Sequence, residues 1–282
     1  MWWKALLRAD NVTESLRNLN RASVSCGFGY STGDSWDAIW AALTFRFLDA
    51  HGVKWTAIVP NEDPVPSIDL AIYGGGGILD ESCISFTKSH IEKGTRVLLF
   101  PLEVRGNEDF LASLPASVIL FCRDNVSFSY AFTHATGGAT VRIDHDVILH
   151  TNPNHFVSRP LDSNHPTLWC ELWNEDLRGG DFRHTLPLSA ELLQLHTKEL
   201  FSCSPFTPRD SLEAETQRIL SKLSQASVFR SDSVRVAGTA AALGIRDVYL
   251  HGLPLGTSAS YFETSKFVHS LLNLILHCTT FV

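Results

Sequence analysis

The chain has 282 residues, 44% of them hydrophobic and 19% charged, with a mean hydropathy of +0.03. This balance excludes wholesale disorder, and the length suits one large domain or two smaller ones without disulfide staples. Thirty acidic against 23 basic residues give a net charge of -7, which argues against a generic nucleic-acid binder and asks any anionic ligand to find a local cluster of Arg or Lys. No apolar run reaches the ~20 residues of a membrane span. The opening Met1-Trp2-Trp3-Lys4-Ala5-Leu6-Leu7-Arg8 is too short and too broken by charge for a secretory core, so the expected address is cytoplasmic. The cysteines at 26, 83, 122, 170, 203 and 278 form no Cys-x-x-Cys pair and are expected to be free thiols, mostly buried.

In chain order, Ser23–Gly27 reads as a strand entering a Gly-rich turn. Asp37–Ala50 has the apolar spacing of a helix, and Lys54–Val59 reads as a strand. Ile68–Tyr73 is a strand that runs into Gly74-Gly75-Gly76-Gly77, followed by a helix near Ser82–Glu92. Arg96–Phe100 is a buried-type strand that Pro101 stops. Ser117–Phe121 repeats the pattern, with a helix at Val126–Phe132 and a strand at Ala139–Ile143. The stretch from Asn152 to Pro187, rich in Pro, Asn, Asp, Gly and His, is the expected junction. Beyond it, helices are predicted at Ser189–Phe201 and at Asp210–Leu223 with Asp210 as N-cap. A strand at Ser227–Arg230, a helix at Val234–Leu243, a strand at Val248–Leu250 and a terminal helix at Tyr261–His277 complete the pattern. Near-continuous apolar strands alternating with helices predict an α/β protein with two αβα layers, residues 1–155 and 156–282, and a ligand cleft at the carboxyl ends of the strands.

Five segments carry candidate chemistry. Gly29-Tyr30-Ser31-Thr32-Gly33-Asp34-Ser35 offers either an anion-binding turn or a plain strand–helix turn capped by Asp34. Gly74–Gly77 offers bare amides for phosphate or carboxylate, or only a sharp turn. Arg123, in Cys122-Arg123-Asp124-Asn125-Val126-Ser127, is placed to grip an anion bidentately or to lock its turn through a carboxylate. His145, between Asp144 and Asp146, is either an acid–base group or part of a polar strand end. His145, His150, His155 and His165 match no standard metal spacing, so no metal is expected. Finally, Ser231-Asp232-Ser233-Val234-Arg235, preceded by Arg230, is a second anion-binding candidate or a capped helix with exposed arginines.

In order, these pieces resemble the polysaccharide pyruvyl transferase family. Gly33-Asp34-Ser35-Trp36-Asp37-Ala38-Ile39-Trp40 is similar to its G-D-S-A-I-W turn, and Gly74–Gly77 with Asp80 to its G-G-G-N-x-x-D. Leu99-Phe100-Pro101-Leu102-Glu103 keeps the Pro of its L-P-Q strand, with Glu103 near the Gln position. Cys122–Ser127 matches its C-R-E/D-x-x-S, and Asp146-Val147-Ile148-Leu149 its Asp before an apolar stretch. Tyr261-Phe262-Glu263-Thr264 matches Y-x-E-T. The family's T-D-R-L-H is altered, its Arg being Ser233 and its His being Arg235.

The resemblance implies two Rossmann-like halves with a central cleft, as in glycosyltransferases of the B type. It implies transfer of pyruvate from phosphoenolpyruvate to hydroxyls of a glycan as a ketal. Gly33, Gly74, Gly75, Gly76, Gly77, Arg123, Ser127, Arg230, Ser231 and Asp232 would then bind substrate. His145, Arg235 and Asp34 would be catalytic, with Arg123 and Arg235 sharing one anion across the cleft. Two other readings stay open: another transferase of this fold with an anionic donor, or a non-catalytic relative that binds a glycan or a protein.

Overall fold

A computed structural model describes residues 2–30, 35–58, 67–74, 77–151, 156–157, 167–171, 191–193, 207–224, 226, 228–231, 238–240, 242–245 and 247–250. Two short helices come first, α1 (Trp2–Leu6) and α2 (Val12–Ala22). A six-stranded sheet follows, built from β1 (Cys26–Tyr30), β2 (Trp55–Ala57), β3 (Leu70–Gly74), β4 (Arg96–Leu102), β5 (Val118–Cys122) and β6 (Thr140–Ile143). All its strands are parallel, in the order β2-β1-β3-β4-β5-β6. The crossover helices are α3 (Ser35–Ala50), α4 (Glu81–Glu92), α5 (Glu108–Ser113) and α6 (Asn125–His134), and a short helix α7 (Val147–His150) follows β6.

Strand alternation divides the core. Phe28, Leu70, Ile72, Leu98, Phe100, Ile119 and Phe121 face one side, where α2 and α3 lay down Leu16, Leu19, Phe45 and Leu48. Ala71, Tyr73, Val97, Leu99, Val118 and Leu120 face the other, against Cys83, Phe86, Leu111 and Ala131 from α4, α5 and α6. Burial on both faces is why these strands read as continuous apolar runs. Cys26, Cys83 and Cys122 are buried free thiols, and burial pushes the Cys26 thiol up to about 12.

A second parallel sheet has the order β10-β9-β7-β8, from β7 (Thr167–Glu171), β8 (Glu191–Leu193), β9 (Val228–Ser231) and β10 (Asp247–Leu250). Helix α8 (Arg209–Leu223) lies against α3, where Ile219, Leu220 and Leu223 join Ile39, Trp40 and Leu43 in a shared apolar cluster with Phe229 and Val248. Arg209 fastens this seam, donating to Asp49 at 2.6 Å and Glu213 at 2.8 Å while lying over the Phe45 and Trp55 rings. The molecule is therefore α/β, with two parallel Rossmann-like sheets.

Several expectations need correction. The first strand is Cys26–Tyr30, later than Ser23–Gly27, because Asn20 and Leu19 carbonyls still close α2 at Ser23, which takes φ +51°. Pro101 does not stop its strand: β4 continues to Leu102 across a register irregularity between Leu99 and Leu102, the setting in which a sheet tolerates Pro. Glu191–Leu193, inside the predicted Ser189–Phe201 helix, is a strand paired with β7. A short apolar run has no decisive period, and the neighbouring strand decides it. Asp210 lies inside the first turn of α8, whose cap is Pro208. The strand β7 falls in the expected junction, and α1 and α2 are additional elements. The predicted helix at Tyr261–His277 lies outside the described residues. Among the described residues, no helix is long and apolar enough to cross a membrane.

Candidate functional site

Parallel strands bring all the βα turns to one edge of the sheet, the place where α/β proteins build ligand sites. The turns after β3, β5 and β6 use one device. Asp80 caps α4 by accepting from Cys83 N at 2.9 Å, Asp124 caps α6 through Ser127 N at 2.8 Å, and Asp146 caps α7 through Ile148 N at 3.3 Å. A carboxylate there satisfies an orphan N–H and suits the positive end of the helix.

At the ends of β3 to β5 the polar groups engage one another. The Gly77 carbonyl accepts from Glu103 N at 2.7 Å and the Glu103 carbonyl from Leu79 N at 2.8 Å, so β3–β4 pairing resumes past the glycines. Thus anchored, the Glu103 carboxylate pairs with the Arg123 guanidinium and with Arg105 Nε at 2.8 Å. Arg123 is buried and also lies 4.0 Å from Asp124. Ser127 Oγ donates to Asp124 at 2.9 Å and accepts from Val104 N at 3.0 Å, which ties the β4 loop to α6. Two guanidinium groups thus face two carboxylates, and the cluster is balanced without a ligand. The glycines on β1 and β3 are packing positions: a Cβ on Gly29 would lie 2.4 Å from the Phe86 ring, and one on Gly74 2.8 Å from Phe100.

At the end of β6 the arrangement is open. Asp144 accepts from Val12 N and His145 N, both at 2.7 Å, and stands 3.4 Å from His150 Nε2. Burial pushes the Asp144 carboxyl up, but His150 and these two N–H groups outweigh it and hold the group below its ordinary range. The His150 ring stacks on Phe47 and lies 5.9 Å from the His145 ring. His145 Nδ1 is buried with no hydrogen-bond partner among the described residues. Burial lowers the His145 pKa, Asp144 opposes that and His150 adds to it, so the imidazole is neutral at neutral pH. All three side chains line a cavity of about 650 Å³ whose opposite wall is α2, with Asn11, Glu14, Arg17, Asn18 and Arg21.

Of the residues singled out in the sequence, Gly74, Gly77, Arg123, Ser127 and His145 therefore lie along one edge of one sheet. Arg230 and Ser231 lie on β9, the latter as its last residue. Gly33, Asp34, Gly75, Gly76, Asp232 and Arg235 lie outside the described residues, and with them the expected Arg123–Arg235 pairing. Sequence reasoning missed Arg17 and Arg21. The available signal was a cap: Asn11 accepts from Glu14 N at 2.8 Å, and Val12, Leu16 and Leu19 then fall on the buried face of α2.

No family model and no curated protein matches the sequence. Two solved structures share the fold. An uncharacterized protein from Klebsiella pneumoniae superposes with a TM-score of 0.69 at 19% identity, covering 90% of this chain and 93% of its own. A Listeria monocytogenes protein assigned as a UDP-N-acetylglucosamine 2-epimerase superposes with a TM-score of 0.53 at 10% identity, covering 90% of this chain and 84% of its own. The fold is thus of the glycosyltransferase-B-like kind, shared with a protein assigned to sugar-nucleotide chemistry.

Proposed function

We propose that the protein is a transferase that moves pyruvate from phosphoenolpyruvate to hydroxyls of a glycan, with residues 1–155 and 156–282 as its two halves and the cytoplasm, where that donor is made, as its location. The observation that carries this reading is the convergence of Gly77, Arg123, Ser127 and His145 at the carboxyl edge of one parallel sheet. The sequence resemblance adds the reaction class, and the glycosyltransferase-B-like fold is in keeping with a sugar substrate.

The chemistry asks for a proton on the methylene carbon of the donor, attack of two acceptor hydroxyls on its central carbon, and departure of inorganic phosphate, which carries off the second hydroxyl proton. A neutral imidazole takes a hydroxyl proton and, once charged, returns one to carbon. His145 suits that part, with Asp144 holding the adjoining turn to Val12. Gly75, Gly76, Arg230, Ser231 and Asp232 are proposed on the substrate, with Asp34 and Arg235 beside the reacting atoms. Arg235 is permanently cationic, so its part is to stabilise charge. Arg123, paired with Glu103, acts on the donor through the position of its turn.

Incubating the protein with phosphoenolpyruvate and a panel of glycans tests the reading. A ketal-linked pyruvate seen by mass spectrometry, with equimolar phosphate release, is the expected result. A folded protein that binds glycan without releasing phosphate belongs to the non-catalytic reading. Phosphate release without a ketal belongs to another donor chemistry.

A further inference from the structure

The polar wall of the cavity at the end of β6 comes from a helix that precedes the sheet and has no part in the sequence resemblance. Arg17 and Arg21 stand one turn apart on α2, so their guanidinium groups project from one face. Both are exposed at the cavity wall, and neither is ion-paired among the described residues. Asn18, between them, is anchored to the Ala5 carbonyl at 3.3 Å. His145 and His150, the latter on its Phe47 platform, line the same space. The acidic groups are directed elsewhere: Glu14 accepts from Asp10 N at 2.9 Å, and Asp144 is turned to Val12, His145 N and His150. Arg142 of β6 is engaged by the Leu7 carbonyl and by Asp10 at 3.6 Å. Two guanidinium groups without an ion pair among the described residues, lining one cavity with two imidazoles, form a receptor for a tetrahedral anion with hydrogen-bond acceptors on every side. The volume, about 650 Å³, holds more than a bare ion and falls in the range of small-molecule sites.

We infer that this cavity binds the phosphate group of a phosphorylated substrate, with Arg17 and Arg21 clamping the phosphate and His145 facing it from the β6 turn. The inference shares His145 with the transferase reading but needs no transfer to occur, so each can fail alone. A phosphate against His145 favours the imidazolium, so binding moves its titration upward against the opposing charges of Arg17 and Arg21 and with those of Asp144 and Glu14.

The test follows the imidazole resonances by two-dimensional NMR on the full chain, with His145→Gln and His150→Gln as assignment standards. Inorganic phosphate and a hexose 1-phosphate are titrated into the wild type and into Arg17→Gln/Arg21→Gln. Both arginines are exposed, so the double variant should keep its fold, which the amide spectrum verifies. The expected result is a saturable shift of the His145 signals, a rise in its titration midpoint, and at least tenfold weaker binding in the double variant. Tighter binding of the hexose phosphate assigns the cavity to a phosphorylated sugar, and tighter binding of inorganic phosphate assigns it to the free ion. His145 signals that ignore both ligands, or that follow the same curve in the double variant, overturn the inference, whether or not the protein makes a ketal.

Discussion

The two ends of the carboxyl edge treat polar groups in opposite ways. After β3, β4 and β5, the charges of Glu103, Arg105, Arg123 and Asp124 sit on one another, and the Ser127 hydroxyl is used as both donor and acceptor. After β6, one carboxylate is similarly occupied, yet His145 lines a cavity with two arginines that have no ion pair among the described residues. Where opposite charges already balance, an added anion must compete with Glu103 and Asp124, whereas exposed arginines with no ion pair among the described residues are open to one. The difference separates residues that hold the turns from residues that face a substrate.

The largest effect is expected where the charges are paired. Asp124→Ala removes the α6 cap, the Ser127 link and a charge beside buried Arg123. It should cost about 2–4 kcal/mol in urea unfolding, because the Ser127 amide and hydroxyl lose their buried acceptor while Arg123 keeps its pair with Glu103. A loss below about 1 kcal/mol would mean that this end is as loose as the other.

A second contrast is between histidines. His90, buried against Phe86 on α4, has its pKa lowered to about 4, chiefly by burial and then by Lys93. The unfolded chain takes up this proton near pH 6.5 and the folded protein near pH 4. Stability is therefore full above pH 6.5 and falls, by about 3 kcal/mol, as the pH drops to about 4. His90→Leu should flatten that part of the profile of unfolding free energy against pH. An unchanged slope would place the acid-sensitive group elsewhere.

Gly29→Ala comes next, at about 1–3 kcal/mol, because its methyl group meets the Phe86 ring inside β1. Phe86→Leu should relieve much of that cost, and ligand binding should not change. A variant with native stability but lost binding would return Gly29 to the ligand site. The smallest effect is expected at the open end: His145→Gln should change the unfolding free energy by no more than ~0.5 kcal/mol. A cost comparable to that of Asp124→Ala would make His145 a structural residue.

The four central strands were legible because strands buried on both faces are written as unbroken apolar runs, and all six strands of that sheet lie within three residues of their predicted ranges. Ends that depend on neighbours were not: β4 passes Pro101, and Glu191–Leu193 is extended only because β7 lies beside it. The resemblance motifs marked scaffold more than chemistry. Asp80, Asp124 and Asp146 are helix caps, Gly74 makes room for Phe100, and Ser127 ties a loop to α6. Arg17 and Arg21 carry no motif. They matter only because Val12 donates to Asp144, 132 positions away, which lays α2 across the end of β6.

The most direct test is a crystal structure of the protein soaked in phosphoenolpyruvate. The account expects the phosphate between Arg17, Arg21 and His145, with the Glu103–Arg123 pair intact. A phosphate seated on the Arg123 guanidinium, with Glu103 swung aside and the α2 cavity holding only water, would contradict it.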